Sequence, residues 1–294
     1  MAPPGTAVLL PFVLVSFAAN SLITRYVVRD DLLDAGLLTA VRFVAGAAAL
    51  LLLLAVRRER LVVGRANLLP SLWLGVYAVC ISYGYQHIGA AAGTFVFYAS
   101  VLLTLVADDR RRGTAVPRRR VAGAAVALAG IALLAFASDS TVTPLGVALL
   151  ALTGTTWGLY TAAGRGSADP RVANTGHFAV LAAVLMLPAG AGFAAGLRVT
   201  GEGLAWATVM GAGTTAFAYV AWYACQRALT GAQAGLVQLV IPVITTLGAV
   251  LVLDEPLSLT LAVAAVLVGV GMWLGRAVPA PPPAPSSPAR TASD

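Results

Sequence analysis

Arg42 stands alone in an apolar stretch, AGLLTAVRFVAGAAALLLLLAV, about seven residues from its start. A cation at that depth in hydrocarbon costs several kcal/mol unless it finds a partner or a wet cavity. The apolar runs offer no carboxylate to pair with it, which leaves helix-end carbonyls, water, or an anionic group on a solute. The plainer alternative is a structural arginine that bonds backbone carbonyls or reaches outward toward Asp34. His177 is a second polar residue in an apolar setting. Histidine as a type titrates near neutral pH and suits a proton relay, or it simply sits satisfied near the headgroups.

Two stretches, WLGVYAVCISYGYQH and TAFAYVAWYACQ, each gather Tyr, Trp and Gln toward their ends. Rings there either form an interfacial belt or wall a pocket, stacking on a solute's apolar body while hydroxyls and amides fix its polar atoms. The residues concerned are Tyr83 and Gln86 in the first stretch and Tyr219, Tyr223 and Gln226 in the second. Asn20, Tyr98, Trp157, Tyr160 and Gln238 are similar polar or aromatic members of apolar runs. Pro242 removes a backbone hydrogen bond and should kink its helix, as a hinge or as a packing device.

Other chemistry finds no support. The sequence has no Walker A, HExxH, GxSxG or CxxC arrangement, so no enzyme, metal site or cofactor is expected. Cys80 and Cys225 both lie in apolar runs, where a small polarizable side chain packs well. The basic residues behind the net charge of +7 are all arginines and sit almost entirely in short connections, which argues against a nucleic-acid partner. An acid deep in a span, the obvious device for exchanging an organic cation against protons, is missing.

The elements that must position these residues follow from composition. Of 294 residues, 59% are hydrophobic and 11% charged, a balance a water-soluble domain would struggle to bury. The bilayer is therefore the expected solvent. A spanning helix needs roughly 20 apolar residues, and apolar runs occur near 8–28, 35–56, 69–87, 90–107, 119–137, 144–163, 175–196, 203–224, 232–253 and 259–276. The opening MAPPGTAVLLPFVLVSFAAN lacks the basic start of a secretory signal and reads as the first retained helix. Residues 277–294, rich in Pro, Ala and Ser, should form a disordered tail.

With both termini placed in the cytoplasm, fifteen of the nineteen arginines fall on cytoplasmic connections, among them Arg57, Arg58, Arg110, Arg111, Arg165 and Arg171. The other face keeps Arg25, Arg29 and Arg198 against Asp30, Asp31, Asp34, Asp139, Glu202, Asp254 and Glu255.

The two halves align at an offset of about 140 residues. Phe17, Asn20 and Arg25 fall on Trp157, Tyr160 and Arg165; Gln86 falls on Gln226; Arg42-Phe43 falls on His177-Phe178 at a slightly shorter offset. Units of five spans each must insert in opposite senses, giving an inverted repeat with a substrate site near the midplane between the halves. Residues 1–137 form the first unit and 138–276 the second.

The segment GLVQLVIPVITTLGAVLVLDEP (Gly235 to Pro256), the closing LAVAAVLVGVGMWLG and Arg42-Phe43 resemble the EamA-type branch of the drug/metabolite transporter superfamily. The resemblance implies an all-α membrane protein of ten transmembrane helices in two inverted five-helix repeats. The first half departs from the family pattern at Ser100, where proline is usual, and at Asp108-Asp109, where a Gly-Glu pair is usual. The expected protein is a secondary transporter of a small metabolite or drug-like solute, multi-pass in the cytoplasmic (inner) membrane, working by alternating access and exporting its solute. Its partners would be that solute and the lipid bilayer. Small-residue spacings at Gly89 to Gly93, Gly154 to Gly158, Gly192 to Gly196 and Gly271 to Gly275 signal close helix approach and leave room for a homodimer. The alternative is a membrane binding or assembly protein without a transport cycle. Dry packing of the third and eighth spans would favour it; an open vestibule reaching Arg42 would favour transport.

Overall fold

The protein, a computed structural model, is described for residues 6–88, 90–137, 143–253 and 259–275. Gly89, Asp139, Asp254, Glu255, Arg276 and the 277–294 tail lie outside the described residues. All regular structure among the described residues is helical: α1 (Thr6–Arg29), α2 (Ala35–Val56), α3 (Arg65–His87), α4 (Ala90–Arg111), α5 (Arg118–Ala137), α6 (Pro144–Gly164), α7 (Pro170–Ala194), α8 (Gly201–Val209), a π-helical segment (Met210–Phe217), α9 (Ala218–Gln226), α10 (Gly231–Gln238), α11 (Ile241–Leu253) and α12 (Leu259–Gly275).

Local sequence explains where these helices begin. Asp34 accepts hydrogen bonds from the N–H groups of Gly36 and Leu37 and so starts α2. Asp169 does the same for α7 with Pro170 at its first turn, which places that start five residues earlier than the apolar run alone suggests. Thr143, Thr200 and Thr230 cap α6, α8 and α10 with their hydroxyls. The apolar run at 203–224 is one continuous rod, α8 through α9, interrupted by the π turn. The run at 232–253 is broken between Gln238 and Ile241, one residue before Pro242, whose missing N–H cannot bond the Gln238 carbonyl.

Seven of these helical stretches are long and apolar enough to cross a membrane: Val8–Arg29, Ala35–Val56, Arg65–His87, Pro144–Gly164, Pro170–Ala194, Gly201–Gln226 and Gly231–Gly248. α4 ends in an Asp-Asp-Arg-Arg run, α5 begins with three arginines and α12 has 17 residues. The outer surface carries Leu52, Leu72, Val184, Leu187 and Leu251, each more than half exposed, whereas Thr24, Thr39, Ser82, Thr153, Thr161 and Asn174 are buried. That inversion of the soluble pattern suits a hydrocarbon solvent, which welcomes apolar surface but satisfies no polar group.

Glycines set the helix spacing. A Cβ on Gly154 would overlap the Phe97 carbonyl, and one on Gly123 would overlap the Gly271 carbonyl, so α6 lies directly on α4 and α12 on α5. Gly192 contacts Leu37 and Leu197, while Gly196 serves a turn with φ +72°. Loops close the end bearing Asp34. Leu33 and Val199 form an antiparallel bridge, the Asp34 N–H donates to the Arg198 carbonyl at 3.0 Å, and the Thr200 hydroxyl donates to the Leu32 carbonyl at 2.8 Å.

Candidate functional site

At the centre, α2 brings Arg42 against the π-helical segment. A Cβ on Gly211 would overlap the Arg42 carbonyl, so only glycine lets the two backbones approach so closely. Arg42 is 1% exposed. Its Nε donates to the Thr215 hydroxyl at 2.9 Å; its Nη2 donates to the hydroxyls of Tyr219 at 3.0 Å and Tyr77 at 3.3 Å. The guanidinium carbon lies 5.2 Å from the Phe43 ring centre and 5.8 Å from that of Tyr77. Among the described residues, no carboxylate forms an ion pair with it. Among the described residues, the cation is held by neutral dipoles and ring faces.

The dipoles are ordered from behind. The Thr215 hydroxyl, which accepts from Arg42, donates onward to Asn20 Oδ1 at 3.1 Å. Thr214 donates to the same oxygen at 2.8 Å, and Asn20 Nδ2 returns a bond to the Thr214 carbonyl at 2.8 Å. The Tyr219 hydroxyl donates to that of Tyr77 at 3.1 Å. Hence α1, α2, α3, the π segment and α9 meet in one network. A π turn widens a helix and presents groups that regular geometry would tie up, a frequent property of functional sites.

Aromatic side chains surround this network. Trp157 packs 5.3 Å from Phe17, 5.0 Å from Tyr77 and 4.8 Å from Tyr219 between ring centres. Its indole N–H donates to Gln238 Oε1 at 2.8 Å, just ahead of the break before α11. Tyr98 stacks on Phe97 at 4.3 Å. Phe17, Asn20, Ser21, Tyr77, Phe97, Tyr98, Trp157 and Tyr219 enclose a cavity of about 10 Å³, room for roughly one water. The third and eighth spans meet at this level through the hydroxyls of Tyr77 and Tyr219.

A second layer lies alongside. The Tyr160 hydroxyl donates to Asn174 Oδ1 at 2.8 Å and lies 3.2 Å from His177 Nδ1. With its single proton given to Asn174, the hydroxyl receives the hydrogen of Nδ1. The Tyr223 hydroxyl donates to the Tyr160 carbonyl at 3.0 Å. Gln226 is fully buried at the end of α9, and neither of its amide atoms has a hydrogen-bond partner among the described residues.

The structure thus gathers Asn20, Arg42, Tyr98, Trp157, Tyr219 and Gln238 at the centre and Tyr160, His177, Tyr223 and Gln226 beside them. Tyr83 and Gln86 lie apart on the exposed face of α3; Tyr83 lines an outer cleft of about 260 Å³ with Asp34, Gly36 and Leu197. Sequence reasoning missed Tyr77, Thr215, Phe17 and Phe97. It also missed what Asp108 and Asp109 do.

Those two acids lie just beyond the α4 apolar run. Arg165 at the end of α6 pairs with both, reaching Asp109 at 2.7 Å. Asp109, 0% exposed, also accepts from the Gly231 N–H at 2.9 Å and the Ala232 N–H at 2.7 Å, capping α10 from another helix. Burial pushes its carboxyl up, but Arg165 and the two backbone donors outweigh that and hold it below the usual carboxylate range.

Helical construction, an apolar exterior and a buried polar centre between two halves define a multi-pass membrane protein of transporter type. The EamA-like transporter family matches the chain twice, over residues 6–136 and 144–275, and the chain belongs to that family. It is accordingly a membrane transporter of small solutes, in a family whose members are generally not enzymes. A Pseudomonas aeruginosa protein described as "Uncharacterized protein PA1977" is 37% identical over 274 residues, covering 92% of this chain and 94% of that one. A solved crystal structure shares the fold with a TM-score of 0.76 at 21% identity, covering 92% of this chain and 95% of that one.

Proposed function

We propose that the protein is a secondary transporter of ten membrane spans in two inverted five-helix repeats. It carries a small solute with an anionic group across the cytoplasmic membrane by alternating access, with both termini inside. Arg42 carries this reading: a fully buried cation, with no ion-paired carboxylate among the described residues, whose partners are neutral hydroxyls and rings. Retaining such a charge is expensive unless it serves an anion. The reciprocal packing of the halves supports the inverted repeat. α2 packs on its counterpart α7 and α5 on α12, while α1 packs on the π segment and α9 as α6 does on α3. Export rests on family analogy alone.

The narrow centre, with room for about one water, favours the alternative of a non-transporting membrane protein, by the vestibule criterion given above. Family membership and the uncompensated charge outweigh it, and the closed centre is then an occluded state of the cycle. Thermal unfolding of the purified protein tests the site. Sodium benzoate, an aromatic carboxylate matched to a cation among rings, should raise the melting temperature of wild type but not of Arg42→Met, and benzylamine should do neither. Equal stabilisation of both proteins by benzoate, or stabilisation by benzylamine alone, would remove Arg42 from the binding site.

A further inference from the structure

Tyr219, Tyr223 and Gln226 occupy positions i, i+4 and i+7 of one helix and so lie on a single face. All three are buried, at 1%, 1% and 0% exposure. At 1.5 Å per residue the stripe is about 10 Å long. It starts at the hydroxyl that holds Arg42 and runs toward the end of α6. The first two members have their polar atoms engaged: Tyr219 with Arg42 and Tyr77, Tyr223 with the Tyr160 carbonyl. The third does not. Gln226 packs against Gly164, where any Cβ would collide with both its amide and the Tyr223 ring, and its Oε1 and Nε2 have no partner among the described residues.

A buried primary amide with neither atom bonded is costly in any protein. A methionine would fill nearly the same space without that cost. The polar group therefore weighs against stability, and its place on the Arg42 stripe offers a reason for it.

We infer that Gln226 is a solute-contacting, specificity-determining residue: its amide receives a group that both donates and accepts hydrogen bonds, while Arg42 holds the solute's anionic end. The solute class is then a compact organic anion with a carboxamide or similar donor–acceptor group at its far end. An amide that offers both a donor and an acceptor discriminates strongly against analogues that lack the matching group, because it is left unpaired beside them. The end of α9 must part from Gly164 for the solute to reach it, which places this contact on the side of the Asp109–Arg165 cluster.

The inference rests on the Arg42 reading for its anionic half only, and the experiment separates the two. Melting temperatures of the full-length protein are measured for wild type, Arg42→Met and Gln226→Met, each alone, with benzoate, and with 4-carbamoylbenzoate, which adds a carboxamide opposite the carboxylate. Expected are three results. Gln226→Met alone melts about 3 °C higher than wild type. 4-Carbamoylbenzoate stabilises wild type more than benzoate does. Gln226→Met loses that excess while keeping the benzoate shift. A lower melting temperature for Gln226→Met, which would mean that ordered water satisfies the amide as a structural group, overturns the inference. So does an absent excess, or one that survives the substitution. A benzoate shift that is absent, or that persists in Arg42→Met, counts against the Arg42 reading instead, and the sign of the Gln226→Met change still decides the role of the amide.

Discussion

If Arg42 serves a solute rather than the fold, replacing it with methionine should cost almost no stability. The side chain makes three hydrogen bonds, to Thr215, Tyr219 and Tyr77. Bonds to a charged group contribute about 1.5–3 kcal/mol each, so together about 5–9 kcal/mol. Against this stands the effective penalty of burying an uncompensated ion, also several kcal/mol. Methionine keeps most of the volume and contact with the Phe43 and Tyr77 rings. The hydroxyls left behind are not orphaned, because Tyr219 still donates to Tyr77 at 3.1 Å and Thr215 to Asn20 at 3.1 Å. The two sides nearly offset, and the expected net change is within about 1 kcal/mol, a shift of no more than roughly 4 °C. Thermal unfolding of the two proteins in nanodiscs measures it, with benzoate binding expected to vanish in Arg42→Met. A melting temperature lower by more than about 8 °C would mean that arginine is a structural strut, and the reasoning from the uncompensated charge would collapse.

Other outcomes follow from the same geometry. Gly211→Ala pushes a methyl into the Arg42 carbonyl, and backbone cannot yield as a side-chain tip would; a loss of about 1–3 kcal/mol is expected in chemical denaturation, and an unchanged midpoint would show that α2 and the π segment separate easily. Asp109→Asn leaves Arg165 with only Asp108 and weakens the cap on α10, so a loss of about 2–4 kcal/mol at pH 7 is expected by the same measurement. That loss should depend on pH in one direction. The Asp109 carboxyl titrates lower when folded than the roughly 3.9 of an unfolded aspartate, so its contribution is complete above that value and fades as pH falls through the folded value. The stability gap between wild type and Asp109→Asn should thus shrink below about pH 4, and a gap that widens there would reverse the assigned shift. Pro242→Ala restores an N–H near the break before α11; solute-dependent changes in hydrogen exchange around Gln238 to Ile244 should diminish, and their persistence would show that the break flexes without proline.

Helices were legible as apolar runs because apolar length is what a bilayer demands; they depart from those runs at capped ends such as Asp169-Pro170, at the break between Gln238 and Ile241 and at the π turn, and seven of the described stretches have the length and apolarity of a span. The place of Arg42 inside α2, about seven residues from its start, was legible for the same reason. Which face of each helix points inward was not. Tyr77 and Tyr83 sit six residues apart on α3, about 120° apart in rotation, and only the former reaches Arg42. In water an amphipathic stripe would separate them, but lipid is as apolar as the protein interior and leaves no such stripe to read. The π turn at Met210–Phe217 has no sequence signature, so Thr214 and Thr215 looked like ordinary helix threonines although they hold Asn20 and Arg42 in register. Asp108 and Asp109 showed in the sequence only as a departure from the family pattern; apart from Arg112, four residues from Asp108, the partners that give them a role, Arg165 and the start of α10, are more than fifty residues away.

The central claim is that the cavity beside Arg42 opens alternately to the two sides of the membrane. Ser21 lines that cavity and differs from cysteine by a single atom. With Cys80 and Cys225 replaced by serine, Ser21→Cys would be exposed to a membrane-impermeant maleimide applied to one face of sealed vesicles and then, separately, to the other. The account predicts slow labelling from both faces and protection from both when benzoate is present. Labelling from one face only, or from neither while the protein remains folded, would contradict it.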